Sequence, residues 1–212
     1  MAASFGIPQI VDFLTRLGLR IASVSEEEET IELAFHASHG QWRMIIGLQH
    51  SDEARKLILL VPHISGVTTR KRLECLEALM AVNYRITIGK FGLDLDDGEI
   101  RLEEAIPLAN EAISFEQFQL VFGTMIQTVA TYYSLIPRIL YGNLSAQEAL
   151  EACESEFLQG SEMAQSRNPT SDAIVVTPEP EPPTNPATPP ELNASDILAE
   201  ISRMLDEKKE QE

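Results

Sequence analysis

The chain has 212 residues, 44% of them hydrophobic, and a formal net charge of −17. A surface of that sign repels nucleic-acid phosphates and anionic headgroups, so no nucleic acid and no membrane is expected as a partner. Its two cysteines, Cys75 and Cys153, have no paired spacing, which excludes a disulfide framework and a zinc knuckle and points to a reducing, cytoplasmic setting.

The N-terminus, MAASFGIPQIVDFLTRLG, has no basic stretch ahead of a long apolar run, so export is not expected and the acceptor-like Asn143 and Asn193 carry no chemical meaning. Ile7, Ile10, Val11, Leu14 and Leu17 recur at helical spacing, Pro8 suits a first turn, and Gly18 can close the helix in a left-handed conformation. From Leu19 the period falls to two, through LRIASVS, TIELAFH, QWRMIIGLQ and KLILLVP, separated by EEEE, ASHG and HSDEA. That pattern predicts a meander of up to four antiparallel strands. RKRLECLEALMAVNYRI then predicts a helix, with Leu73, Leu76, Leu79, Met80 and Asn83 on its core side.

The stretch GLDLDDGEIRLEEAI, residues 92–106, admits two readings. A calcium loop with Gly98 at its sixth position puts Glu104 at the twelfth, but Leu93 and Leu95 then replace two of the required oxygen ligands. The reading preferred is a two-residue type I′ hairpin turn at Asp97-Gly98, between flanks that alternate.

A long helix is predicted from Ser114, which can cap it, with Phe118, Val121, Phe122, Met125, Val129, Tyr132, Tyr133 and Ile136 as core stripe and Pro137 as kink or stop. Residues 117–137 carry no charge, yet their glutamines and helical period favour a packed core helix over a membrane span. A further helix opens at Ser145 with Glu148 completing a capping box, and Gly160 is expected beyond its end.

At residue 161 the composition changes. Residues 161–212 hold 11 acidic and 4 basic side chains, and eight of the twelve prolines lie between 169 and 190. Three parts are therefore expected: a globular domain over 1–160, an extended Pro-rich disordered linker over 161–192, and an amphipathic helix over 193–212. In the last, Ile197, Leu198, Ile201, Met204 and Leu205 form an apolar stripe that an isolated helix leaves uncovered. A Pro-rich tether leading to such a helix has the form of a partner-docking motif, in cis or in trans.

Two further surfaces are candidates. Gly123, Thr124, Gln127, Ala130, Thr131 and Ser134 make a row of small or uncharged side chains that either packs within the domain or serves as a dimer or client face. Arg70, Lys71 and Arg72 start the second helix, where the macrodipole disfavours cations, and are either solvated or a dock for an acidic peptide. The four histidines form no HExxH or Cys/His cluster, and no GxSxG, P-loop or GxGxxG occurs, so no cofactor, no metal and no catalytic residue is assigned.

The order of elements, with GKFGLDLDDGEIRLEEAIPLANEAISFEQFQLVFGTMIQTVATYY, resembles the YbjN family over residues 5–142 and looks like its cyanobacterial branch. The resemblance implies an α+β fold similar to type III secretion chaperones, with an antiparallel β-sheet packed against helices, frequent dimerisation, and binding of protein segments without catalysis. It implies nothing about the Pro-rich tract or the terminal helix. The function expected is a non-enzymatic adaptor or chaperone-like protein that holds a protein client on the domain and a second partner on the C-terminal helix. The alternative is a small-molecule-sensing regulatory domain with ligand between the sheet and the third helix.

Overall fold

The computed structural model describes residues 5–37, 40–50, 55–108, 112–165 and 192–193. Helix α1 (Ile7–Arg16) has Pro8 in its first turn and buries Ile7, Ile10 and Leu14, and Gly18 follows at φ +69. Strands β1 (Ser23–Ser25), β2 (Thr30–Ala37), β3 (Gly40–His50), β4 (Arg55–Gly66), β5 (Lys90–Leu93) and β6 (Glu99–Pro107) form an antiparallel sheet in the order β1-β2-β3-β4-β6-β5. A short β7 (Leu192–Asn193) pairs in parallel with Phe35 and His36 of β2. Helices α2 (Arg72–Arg85), α3 (Phe115–Tyr132), α4 (Leu135–Leu140) and α5 (Ala146–Gln165) complete an α+β fold.

The alternation read from the sequence decides which face of the sheet meets the helices. Ile31, Leu33 and Phe35 of β2, Trp42, Met44 and Ile46 of β3, Leu57, Leu59 and Val61 of β4, and Ile100 and Leu102 of β6 enter one core. Opposite them α3 contributes Phe118, Phe122, Met125, Ile126 and Val129, all fully buried. Each such side chain is worth about 1.5–3 kcal/mol of apolar transfer, which is why the uncharged stretch 117–137 packs into the core. Among the described residues no helix is long and apolar enough to cross a membrane.

Three local expectations are corrected, those for the β5–β6 turn, the core side of α2 and Gly160, while Pro137 ends the long helix as expected. The turn between β5 and β6 is longer than two residues: Asp94 N–H donates to Glu99 O at 2.9 Å, and Gly98 N–H donates to Asp94 O at 3.0 Å. The Asp94 and Asp97 carboxylates accept from the backbone N–H of Asp96 and Glu99, each at 2.8 Å. These side-chain turns hold a wider loop in which Gly98, at φ +79, is the residue with positive φ. Its carbonyl accepts from Val67 N–H at 2.9 Å, so a Cβ there would collide with the Val67 backbone.

The core side of α2 is Cys75, Ala78, Leu79 and Val82, while Leu73 and Met80 point outward. Small side chains on the inner face permit the close approach of α5 and of β5, and Asn83 clamps the start of β5 by accepting from Phe91 N–H at 2.8 Å and donating to Phe91 O at 3.0 Å. The long helix stops at Tyr132, because the ring of Pro137 would clash with the Tyr133 carbonyl if the helix continued, and Pro137 sits instead in the first turn of α4. Gly160 lies inside α5 and not beyond it. Both capping signals are in place: Ser114 Oγ accepts from Gln117 N–H at 3.2 Å, and Glu148 Oε2 accepts from Ser145 N–H at 2.9 Å.

Candidate functional site

Helix α2 carries two apolar faces. Residues at i, i+3, i+7 and i+11 of a helix share one side, and here they are Leu73, Leu76, Met80 and Tyr84, of which Leu73, Met80 and Tyr84 are 80%, 65% and 93% exposed. Other large exposed apolar residues include Tyr141 and Leu95. The three stand in one row on a single helix.

The two ends of the stripe differ in charge and in how their cations are held. At the N-terminal end Arg72 donates to Leu95 O at 3.0 Å, tying α2 to the β5–β6 loop, and Lys71 pairs with Glu74 at 3.3 Å. The Glu74 carboxyl is held below its usual range, first by a backbone N–H and then by Lys71 and Arg70. Of the predicted cluster, then, Arg70 is exposed at the foot of the stripe, whereas Lys71 and Arg72 are engaged within the domain.

At the C-terminal end Arg85 donates to the Glu154 carboxylate, which also accepts from Tyr132 Oη at 3.0 Å. Burial, then the Glu154 bond and its charge, push the Tyr132 phenol up to about 12, and Glu154 raises Arg85 in turn. These groups wall a shallow groove of about 480 Å³ between α3, α5 and the C-terminal end of α2. Thr87, Thr124, Gln127 and Thr131 supply its polar lining, with Phe157 and Leu158 of α5 as its apolar side.

The predicted row of small residues on α3 is thereby divided. Thr124, Gln127 and Thr131 line the groove, and Gly123 is buried. Ala130 packs against the core, while Ser134 Oγ lies 3.5 Å from Cys153 Sγ and accepts from Arg138 at 3.1 Å. The volume between the sheet and α3, expected as a ligand space under the sensing alternative, is filled by Phe118, Phe122, Met125 and Ile126. The expected apolar stripe Ile197, Leu198, Ile201, Met204 and Leu205 lies outside the described residues.

The chemistry of the described residues is quiet. Burial pushes both the Cys75 and the Cys153 thiol up, away from the thiolate that nucleophilic or metal-binding cysteines need. No group of three or more His, Cys, Asp or Glu suited to a metal occurs among the described residues. His50 pairs with Glu29 at 2.5 Å and His63 with Glu99 at 3.1 Å.

Residues 8–137 match the model of a family described as "YbjN: Putative bacterial sensory transduction regulator". The chain belongs to the YbjN family. The match includes α2 and its exposed stripe, and excludes α5, so the Glu154 wall of the groove lies outside it. Among solved structures the chain is similar to YbjN from E. coli, titled a "putative transcription regulator", at 15% identity and a TM-score of 0.41, covering 73% of this chain and 96% of that one. No curated protein matches.

Sequence reasoning missed the outer stripe because it assigned the larger apolar residues of α2 to the core. The signal available was the second apolar set, Cys75, Ala78, Leu79 and Val82, which shows that the helix has two sides to cover.

Proposed function

We propose that this YbjN-family protein is a non-enzymatic regulator that works by binding protein, holding a client segment on the outer face of α2 and recruiting a second partner through its C-terminal amphipathic segment. The observation that carries the reading is the row Leu73, Met80 and Tyr84, exposed on a helix whose other face is fully packed. Three large apolar side chains in water on a rigid helix stabilise nothing in the free domain, and they offer the aromatic and aliphatic anchors from which interface hot spots are built. With Arg70 at its foot, the surface fits an amphipathic client helix with acidic residues at one end. The raised thiols, held away from the thiolate, support a binding role over nucleophilic catalysis by cysteine.

The test is a photoreactive residue placed at Tyr84 of the full chain in the native cell, with the same residue at exposed Tyr141 as control. A discrete adduct from position 84, absent from position 141 and lost when Leu73→Ser and Met80→Ser are added to the chain labelled at 84, is the expected result. Equal labelling from both positions contradicts the reading, and a self-adduct assigns the surface to a homodimer.

The groove favours a second reading, a small polar ligand held by Thr87, Gln127, Thr131 and Glu154 and sensed through α5. A rise in melting temperature with a metabolite pool that Glu154→Gln abolishes would select it, and a flat response across pools would count against it.

A further inference from the structure

The two edges of the sheet are finished differently. At the β5 edge the Asn83 side chain accepts from Phe91 N–H at 2.8 Å and donates to Phe91 O at 3.0 Å, so α2 takes both backbone groups of that rung. At the β2 edge β1 pairs with residues 30–32, and the backbone beyond them is met by Leu192 and Asn193, in parallel register with Phe35 and His36. An edge strand presents N–H and C=O groups to any extended segment that can reach them. Here the segment that reaches them belongs to the same chain.

Which groups it meets follows from the alternation of a strand's backbone. Leu48 N–H donates to Glu29 O at 3.1 Å, so Glu29, and with it Ile31, Leu33 and Phe35, turn their backbone groups toward β3. Ala22 N–H donates to Glu32 O at 2.9 Å on the opposite side, so Glu32, Ala34 and His36 face the outer edge. A parallel strand with Leu192 opposite Phe35 then donates from Leu192 N–H to Ala34 O and accepts at Leu192 O from His36 N–H. The ladder cannot lengthen toward the N-terminus, because Pro190 has no N–H to give. A ladder this short, which must also close the chain from Gln165 to Leu192, opens readily.

We infer that Leu192 and Asn193 act as a latch, a strand added in cis to the open edge of β2, whose opening and closing sets the reach of residues 194–212. Parallel pairing sends the chain past His36 toward the β2–β3 turn. From Asn193 to Ile197 the chain spans at most about 14 Å, so the closed latch keeps the start of the apolar stripe beside that end of the sheet. With the latch open the stripe is tethered from Gln165 instead, by roughly 100 Å of extended chain. A partner of the stripe is thus held at the domain in one state and let out from it in the other. The latch stands on the register of β7 alone and does not depend on what residues 194–212 bind.

The experiment follows amide hydrogen exchange in the full chain and in two proline variants of it. The His36 amide should exchange at least about 10-fold faster in Leu192→Pro than in the parent chain. Glu191→Pro, which leaves the Leu192 N–H in place, should not change it. The Leu33 and Phe35 amides, which face β3, should keep their protection throughout. Equal His36 exchange in the parent and in Leu192→Pro, or equal acceleration by both prolines, overturns the inference. A spin label at Ser195→Cys, with Cys75 and Cys153 buried and unlabelled, separates cis from trans. It should broaden the Ala37 and Gln41 amides of its own chain and lose that effect in Leu192→Pro. Broadening found only when labelled chains are mixed with unlabelled, isotope-enriched ones assigns the edge to a second copy and overturns the inference as well.

Discussion

The two faces of α2 show how differently a helix is used by its own fold and by what lies outside it. The inner face is made of Cys75, Ala78, Leu79 and Val82, mostly small, because α5 and β5 approach closely there. The outer face holds the bulkier Leu73, Met80 and Tyr84, and nothing among the described residues packs on them. Adjacent positions thus obey different constraints: the inner ones are fixed by packing density, and the outer ones are left exposed by the described residues. Size alone does not tell core from surface on a helix with two apolar faces.

The sharpest way to break this contrast is at neighbouring residues. Leu79→Ala should cost about 2–5 kcal/mol in chemical denaturation, whereas Met80→Ala should stay within about 0.5 kcal/mol. Similar losses at both positions would mean that the outer face is covered within the folded domain. Next in size is Gly98→Ala, which must adopt a positive φ against the Val67 backbone and should cost more than about 1 kcal/mol. A neutral result would show that the β5–β6 loop, and with it the Arg72 anchor of α2, is not held as described.

The groove end of α2 makes a smaller prediction. With a folded-state phenol raised to about 12 from 10, Tyr132 contributes stability that is complete below pH 10 and is lost as pH rises toward 12. Tyr132→Phe should remove that alkaline slope. In Glu154→Gln the phenol, followed by ultraviolet titration, should move down without returning to its ordinary value, because burial is the larger cause. The smallest effect is at the α5 cap, where Ser145 holds the Glu148 carboxyl low. Its contribution is present above the ordinary value of 4.5 and is lost as pH falls through the lower folded value, and Glu148→Gln should flatten that acid limb.

Much of the fold was legible because period and caps are local signals. The alternation in 30–36, 41–49 and 56–62 foretold β2, β3 and β4 within a few residues, and Ser114 and Ser145 marked two helix starts. The turn at 94–98 was misjudged because Asp94 and Asp97 form side-chain turns that widen it, a competition that an Asp-Gly pair alone does not reveal. The division of the α3 row between groove and core required the position of α5, which no local pattern supplies.

We have proposed the outer face of α2 as a protein-binding surface. Its most direct test is the affinity of the partner captured at position 84, measured for the full chain and for Leu73→Ser/Met80→Ser/Tyr84→Ser with melting temperatures in parallel. Hot-spot anchors predict a loss of at least about 30-fold with the melting temperature unchanged. Unchanged affinity, or a loss that tracks a fall in melting temperature, would contradict it.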